Sequence, residues 1–477
     1  MSLGQRIKDA WQAFNGYHLT DWTPNRNSRV NQSQSARMDI PNATRRQLLS
    51  WSREMERKDP IFNIFLDLCE RYVTGPTGIR IVSGSATPEW ATLANAEWEN
   101  WQPFCDISSR FSFGQRQGLI EREVEVAGEI FIYLTYADSA RPRIQLIQSE
   151  SVETPAKYQT DRSVFDGVRM DANDRPLAYY VKSVDEFGKE QFREIAADSI
   201  VHIVEPSRVG QVRGLPIIYP ALADMVDLRE SLDLEMLAHK DGAETSKFIT
   251  NALGEVSAVG LRRAYSATAT QKPDGTASTQ ALREYYESKV GGKTIVGKHG
   301  DTYQQFANQR PGDAVQKFWD FVSARIAAGM GLPIEILIMR SLQGTMTRAA
   351  LDMANGFFRC RSAARAESFN RIWNHVVMGT SSLRKSIPAD WRKIRFTPPR
   401  SINVDVGRNS NALIAEWQSG FRTLENIAAE MGQDWKDILR QRSAELVFAR
   451  DLEQSNSLTP GSVLQLQSAP QPAPQAL

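Results

Sequence analysis

Residues 220–247, PALADMVDLRESLDLEMLAHKDGAETSK, decide how the rest of the chain is read. Leu222, Met225, Val226, Leu232, Met236 and Leu237 approximate the i, i+3, i+4, i+7 spacing of one buried stripe, so a single long helix is expected here. Between Asp224 and Glu244 its acids are Asp224, Asp227, Glu230, Asp233, Glu235, Asp241 and Glu244, against Arg229 and Lys240 alone. The stretch is therefore a locally acidic helix. The chain around it is neutral, with 57 Lys and Arg against 56 Asp and Glu over 477 residues, a formal charge of +1.

On its N-terminal side the pattern is mixed. Residues 1–40 are polar and read as a loosely held arm. From Thr44 the apolar spacing is helical (Leu48, Leu49, Trp51, then Ile61, Phe62, Phe65, Leu66, Leu68) until Gly75, Pro76 and Gly78 stop it. Residues 121–202 read as strands. Val124 and Val126 alternate with Glu123 and Glu125, Ala127-Gly128 turns, and residues 130–136 run back. On that reading Glu121, Glu123 and Glu125 form a solvated face. Residues 164–170 and 177–181 flank the turn segment Asp171-Ala-Asn-Asp-Arg-Pro176, a second hairpin. Residues 200–204 form a last strand. The class is α+β.

On its C-terminal side, residues 248–310 are turn-rich, with short strand candidates. Pro311 to Asp313 start a second helix, which runs through Val315, Phe318, Trp319, Val322 and Ile326 to Gly329 and Gly331. The polar stretch Arg340-Ser-Leu-Gln-Gly-Thr345 precedes a third helix over residues 346–378, whose simplest buried stripe is Met353, Phe357, Phe369, Ile372 and Trp373. That helix carries Arg348, Arg359, Arg361, Arg365 and Arg371 against Asp352 and Glu367. Helices follow over residues 409–452. The tail, SAPQPAPQAL, is low-complexity and expected to be disordered.

Chemistry is hard to find. Gly292-Lys293-Thr294 is the one nucleotide-like signal. A phosphate-cradling loop needs another Gly five positions before Gly292, and that position is Glu287, so a turn is expected. His18, His202, His239, His299 and His375 are scattered without metal-ligand spacing. Cys69, Cys105 and Cys360 form no CxxC pair, which fits a reducing compartment. No signal-like or membrane-length apolar run appears. The reading is of a non-enzyme with no cofactor and no metal.

Several segments in order resemble one family, the lambda-type phage portal proteins, over roughly residues 35–455. They are Trp51-Ser-Arg-Glu-Met55 with Arg57-Lys-Asp-Pro-Ile61, then Glu70-Arg-Tyr-Val-Thr-Gly75 and Gly78-Ile79. Gly167-Val-Arg-Met-Asp171 with Arg175-Pro-Leu-Ala-Tyr179 follows. The most telling is His202 with Arg208-Val-Gly-Gln-Val-Arg-Gly-Leu-Pro216. Gly329-Met-Gly-Leu-Pro-Ile-Glu-Ile336 and Gly420 with Gly432-Gln-Asp434 complete the set. Leu337-Ile-Met-Arg340 departs from the family's Gly/Asp-rich wording.

The resemblance implies an anatomy: an arm (1–40), an α+β wing (41–213), a first stem helix (214–247), a clip (248–310) and a second stem helix (311–330). A tunnel loop, long wing helix and connecting strand (331–402), a helical crown (403–455) and a disordered tail (456–477) follow. It also implies a ring of about twelve copies at one capsid vertex of the virion, assembled in the host cytoplasm. Double-stranded DNA would pass through it, and terminase, the major capsid or scaffolding protein and head–tail connector proteins would dock on it. Asp224, Asp227, Glu230, Asp233 and Glu235 then either face the channel, where an acidic wall lets a polyanion slide, or form intersubunit ion pairs or a solvated outer face. Arg340, Gln343, Gly344 and Arg348 either touch DNA from the tunnel loop or belong to an ordinary helix connection. The rival readings are another head protein (head–tail adaptor or minor capsid protein), a packaging ATPase, which Glu287 opposes, and a non-ring DNA-binding protein, which the neutral balance opposes.

Overall fold

The computed structural model describes residues 40–137, 141–184, 188–249, 293–296, 312–338, 344–402, 406–459 and 461–463. The chain divides into two units, Met1–Tyr219 with Gly329–Leu477, and Pro220–Ala328.

The larger unit begins with α1 (Asn42–Lys58) and α2 (Pro60–Cys69). Asp59-Pro60 separates them. The proline suits a first helical turn, and the Asp59 carboxylate accepts from the Phe62 amide at 2.8 Å. A π turn, Glu70–Thr74, continues α2 and ends at Gly75 with φ 76°. Strand β1 (Arg80–Ser83) precedes α3 (Pro88–Trp101) and α4 (Phe113–Ala127).

Helix α4 corrects the expected hairpin. Residues 121–127 are helical, and the chain turns at Gly128 as a left-handed helix cap (φ 79°) rather than between strands. Glu-Val-Glu-Val alternates, but Ile120 and Val124, like Glu121 and Glu125, also stand four apart on one helical face. A capping box between Ser112 and Gln115 fixes the start. The expected solvated acidic face is likewise overturned: Glu121 and Glu125 are buried, because arginines distant in sequence meet them.

Beyond Gly128, β2 (Glu129–Tyr136), β3 (Pro142–Ile147) and β8 (Ile200–Val204) form an antiparallel sheet ordered β3-β2-β8. The strands β4 (Val164–Phe165), β5 (Val168–Met170), β6 (Pro176–Val184) and β7 (Glu190–Ala196) form a second, ordered β4-β5-β6-β7. The hairpin expected around residues 171–176 is the β5–β6 pair.

In the smaller unit, α5 (Leu222–Glu244) is followed by β9 (Thr245–Ile249), which pairs in parallel with β10 (Lys293–Val296). Lys293 and Thr294 are thus in a strand, not the expected turn. Helix α6 (Asp313–Met330) runs out of this unit. Then come α7 (Ile334–Leu337), the 36-residue α8 (Gly344–Gly379), α9 (Ser381–Arg384), and β11 (Ile394–Thr397), which pairs with β1. Helices α10 (Val406–Gln418), α11 (Leu424–Glu430) and α12 (Trp435–Ser455) end the described chain.

One core joins α3, α4, the β2 sheet and α8. Its centre is aromatic: Trp98 stacks on Trp101 at 4.9 Å and meets Trp373 at 5.2 Å, and Phe113 meets Phe369 edge-on at 5.5 Å. Offset and edge contacts of this kind add to the apolar area buried. Phe369, Ile372 and Trp373 are fully buried as the stripe of α8 requires, but Met353 is 68% exposed, so the stripe stops short of the first turns. A second cluster, Phe131, Val168, Tyr179 and Ile200 among others, joins the two sheets.

Candidate functional site

Within the smaller unit, α5 and α6 lie side by side and antiparallel. Trp319 Nε1 donates to Ser231 Oγ at 3.0 Å, and Arg325 pairs with Asp224 at 3.1 Å, so the register on one helix climbs as the other descends. Asp224 is therefore engaged with α6. Asp227, Glu230 and Asp233 are exposed, whereas Ala221, Leu222, Met225 and Leu228 are buried. At about 100° per residue the three acids drift across an arc of roughly 120°, Asp227 and Glu230 opposite the buried residues and Asp233 beside the line of Leu222. Glu235 is half-buried.

The expected apolar stripe is buried only at its start. Leu234 (67% exposed), Met236 and Leu237 on α5, with Phe318 and Phe321 (61%) on α6, present apolar side chains outward. Leu232, 39% exposed, departs from the expectation too.

Of the expected loop residues, Arg340 and Gln343 lie outside the described residues. Gly344 is the first residue of α8 rather than part of a loop, and Arg348 is exposed on its opening turns. Part of the basic excess of α8 is matched inside the larger unit. Arg361 pairs with Glu125, and Arg365 Nε with Glu121 at 2.6 Å, its Nη1 reaching Glu205 at 2.6 Å. Arg371 donates to the backbone oxygens of Ala197 and Asp198 at 3.2 Å each. Within the larger unit these three arginines tie α8 to α4 and to the segments flanking β8.

The segment Arg208–Pro216 proves to be a keystone for the same unit. Arg213, 3% exposed, donates Nε to Glu129 at 2.8 Å and Nη2 to the Ser149 carbonyl at 3.0 Å, and it also bonds the Asp166 carbonyl. Arg45 donates to Asp166 at 2.6 Å and to Ser149 Oγ at 3.0 Å. His202 Nε2 lies 3.0 Å from Glu129, its ring stacked 4.3 Å from Phe131. Burial alone would raise the Glu129 carboxyl, but Arg213, the bond to His202 and Arg45 outweigh it and hold it well below the usual range. Gly214 is required because a Cβ there would run into the Gly128 carbonyl. The sequence carried a signal for this site, an Arg between two apolar-flanked turns, but its acids lie 47 to 84 residues away.

This arrangement orders a scaffold, and its ion pairs leave little for chemistry. A cleft of about 840 Å³ in the larger unit is lined by Arg53, Arg122, Glu123, Leu146 and Arg193 among others. Arg53 and Arg122 there are already paired with Glu150 and Glu56, each at 2.9 Å.

Comparison with known proteins fixes the family. The model of the phage portal protein family, lambda family, matches residues 23–355. Portal protein B of Escherichia phage lambda is 21% identical over 356 residues, covering 68% of this chain and 66% of that protein, just under two thirds of its length. Among solved structures, the virion of a native gene transfer agent particle aligns with a TM-score of 0.45 and 12% identity, over 81% of this chain and 93% of that one. The neck of a native gene transfer agent particle computed with C12 symmetry aligns with a TM-score of 0.41 and 11% identity, over 81% and 94%. With the family's own pattern running through more than half of its length, the chain belongs to the lambda family of phage portal proteins.

Proposed function

We propose that this portal protein is the ring-forming, non-enzymatic subunit of a virion vertex, that DNA is packaged and ejected through the ring, and that terminase and head–tail connector proteins dock on it. On this reading residues 41–213 are the wing, 214–247 and 311–330 the stem helices, 248–310 the clip, 331–402 the tunnel loop with the long wing helix and strand, and 403–455 the crown. About twelve copies close the ring.

The observation that carries the reading is the α5–α6 pair, which leaves apolar side chains and the acidic run Asp227, Glu230 and Asp233 both facing outward. A ring supplies what each lacks. Neighbouring copies cover apolar surface by a heterologous contact that closes on itself, and a channel gives the acids a polyanion to repel, lowering the cost of sliding. Asp224 is the exception, since its pairing with Arg325 spends its charge within the chain. Arg340, Gln343 and Arg348 supply the few polar contacts that steady the duplex.

The test is replacement of Asp227, Glu230 and Asp233 by Asn, Gln and Asn in assembling particles. Rings should still form, with DNA packaging or retention altered; unchanged packaging would refute the channel assignment. Alanine at Arg340 and Arg348 should change packaging or ejection, and no change in either would return those residues to an ordinary helix connection.

A further inference from the structure

We infer that α4 and α8 are held together by a clasp containing one shared proton, carried between the carboxyl groups of Glu125 and Glu121. The geometry is a buried carboxylate oxygen that has no donor without it. Glu121 and Glu125, both buried, face Arg361 and Arg365 of α8, and the half-exposed Glu205, which follows β8, shares Arg365. Three carboxylates thus meet two guanidinium groups. Glu121 Oε2 is taken by Arg365 Nε at 2.6 Å, while Glu121 Oε1 is buried with no hydrogen-bond partner among the described residues. A buried carboxylate oxygen without a donor is costly, and a protonated neighbour is the donor it lacks.

That neighbour is within reach. One ligand atom each from Glu121, Glu125 and the Cys69 thiol lie within 4.8 Å of one another. Of the other polar groups on α8, Arg365 Nη2 and Ser362 Oγ are also buried without a hydrogen-bond partner among the described residues, so neither bonds Glu121 Oε1; Nη2 stands 3.6 Å from Glu125 Oε1. Glu70 on the π turn lies against Gly118, about one turn before Glu121, and Glu123 looks the other way to Arg53 of α1. Burial is the largest influence on Glu125 and Glu121 adds to it, so despite Arg361 and Arg365 its carboxyl is pushed up to about 8. Burial likewise pushes the Cys69 thiol well above its ordinary value, which keeps its proton on sulfur. With both carboxylates held by arginines and the thiol protonated, the cluster is a site for a proton and not for a metal cation.

The consequence is a device that loosens with alkali. The folded chain holds a proton on Glu125 that the unfolded chain gives up near the ordinary Glu value of about 4.3. Its contribution is complete below that pH and falls as pH rises toward about 8, by about tenfold in the folding constant per pH unit. The clasp therefore sets how firmly α8 is held against α4 at a given pH.

The test is thermal melting of the full-length protein from about pH 6 to about pH 9, for the natural chain, Glu125→Gln and Cys69→Ser. The natural chain should lose melting temperature as pH rises, Glu125→Gln should lose that slope, and Cys69→Ser should keep it. Should Glu125→Gln fail to fold, infrared spectroscopy of the natural chain decides: the carbonyl stretch of a protonated buried carboxyl should be present at neutral pH and vanish at the alkaline end. A slope unchanged in Glu125→Gln, a slope lost in Cys69→Ser, absence of the carbonyl band, or stoichiometric zinc in the purified protein would each overturn the proposal.

Discussion

Two helix contacts in this protein solve opposite problems. Where α4 meets α8, charges are taken out of water and matched: Glu121 and Glu125 find Arg365 and Arg361, and beside them Trp98, Phe113, Phe369 and Trp373 close an aromatic core. Where α5 meets α6, the Asp224–Arg325 ion pair and the Trp319–Ser231 bond link the helices, while Leu234, Met236, Leu237, Phe318 and Phe321 remain outside. The first contact is complete within one chain. The second leaves apolar surface uncovered by the described residues, and on the proposed reading the difference separates what stabilises the subunit from what assembles it.

Mutations should fall on either side of that division. The largest expected effect lies in the finished region. Arg213→Ala removes one of the two arginines, Arg213 and Arg45, that the buried Glu129 and Asp166 share, at a cost of about 3–5 kcal/mol, read as a lower melting temperature and poor soluble yield. Phe369→Ala, which empties the aromatic core, should cost a similar 3–5 kcal/mol or so, and a loss below about 1 kcal/mol would show that the α4–α8 contact is looser than described.

Next comes the unfinished region. Leu234→Ser with Phe321→Ser should change the stability of the isolated subunit by no more than about 0.5 kcal/mol yet abolish assembly, measured by sedimentation. If both variants assemble normally, the apolar surplus on α5 and α6 is not the assembly surface. The last effect concerns acid. Glu129 has a folded-state value well below that of the unfolded chain, so its contribution is present above the unfolded value of about 4.3 and disappears as pH falls through the folded one. Melting temperature should therefore drop steeply below about pH 4, and a flat acid limb would mean that the Arg213–Glu129–Arg45 cluster contributes little.

The sequence was most readable where local signals act alone. The Asp171–Pro176 turn between β5 and β6, the start of α6 near Asp313 and the acidic run of α5 follow from turn residues, helix starts and composition. Helix α4 was misread because Val124 and Val126 alternate with Glu123 and Glu125 as a strand would. The better signals were its ends, the Ser112–Gln115 box and Gly128. The burial of Glu121 and Glu125 was beyond local reasoning, since their partners lie 244 and 236 residues away. So was the exposure of the α5 stripe. Periodicity marks a face that wants covering and is silent on whether the same chain covers it. The acidic residues split for a related reason, Asp224 turning to Arg325 while Asp227, Glu230 and Asp233 remain outside.

The central claim is that the outward surfaces of α5 and α6 are completed by other copies of this chain around an open axis. Native mass spectrometry of the purified protein, with negative-stain electron microscopy of the same sample, tests it most directly. Rings of about twelve subunits with an axial hole are expected, and Leu234→Ser with Phe321→Ser should yield dispersed subunits. A natural chain that stays monomeric or dimeric across salt and protein concentration would contradict it.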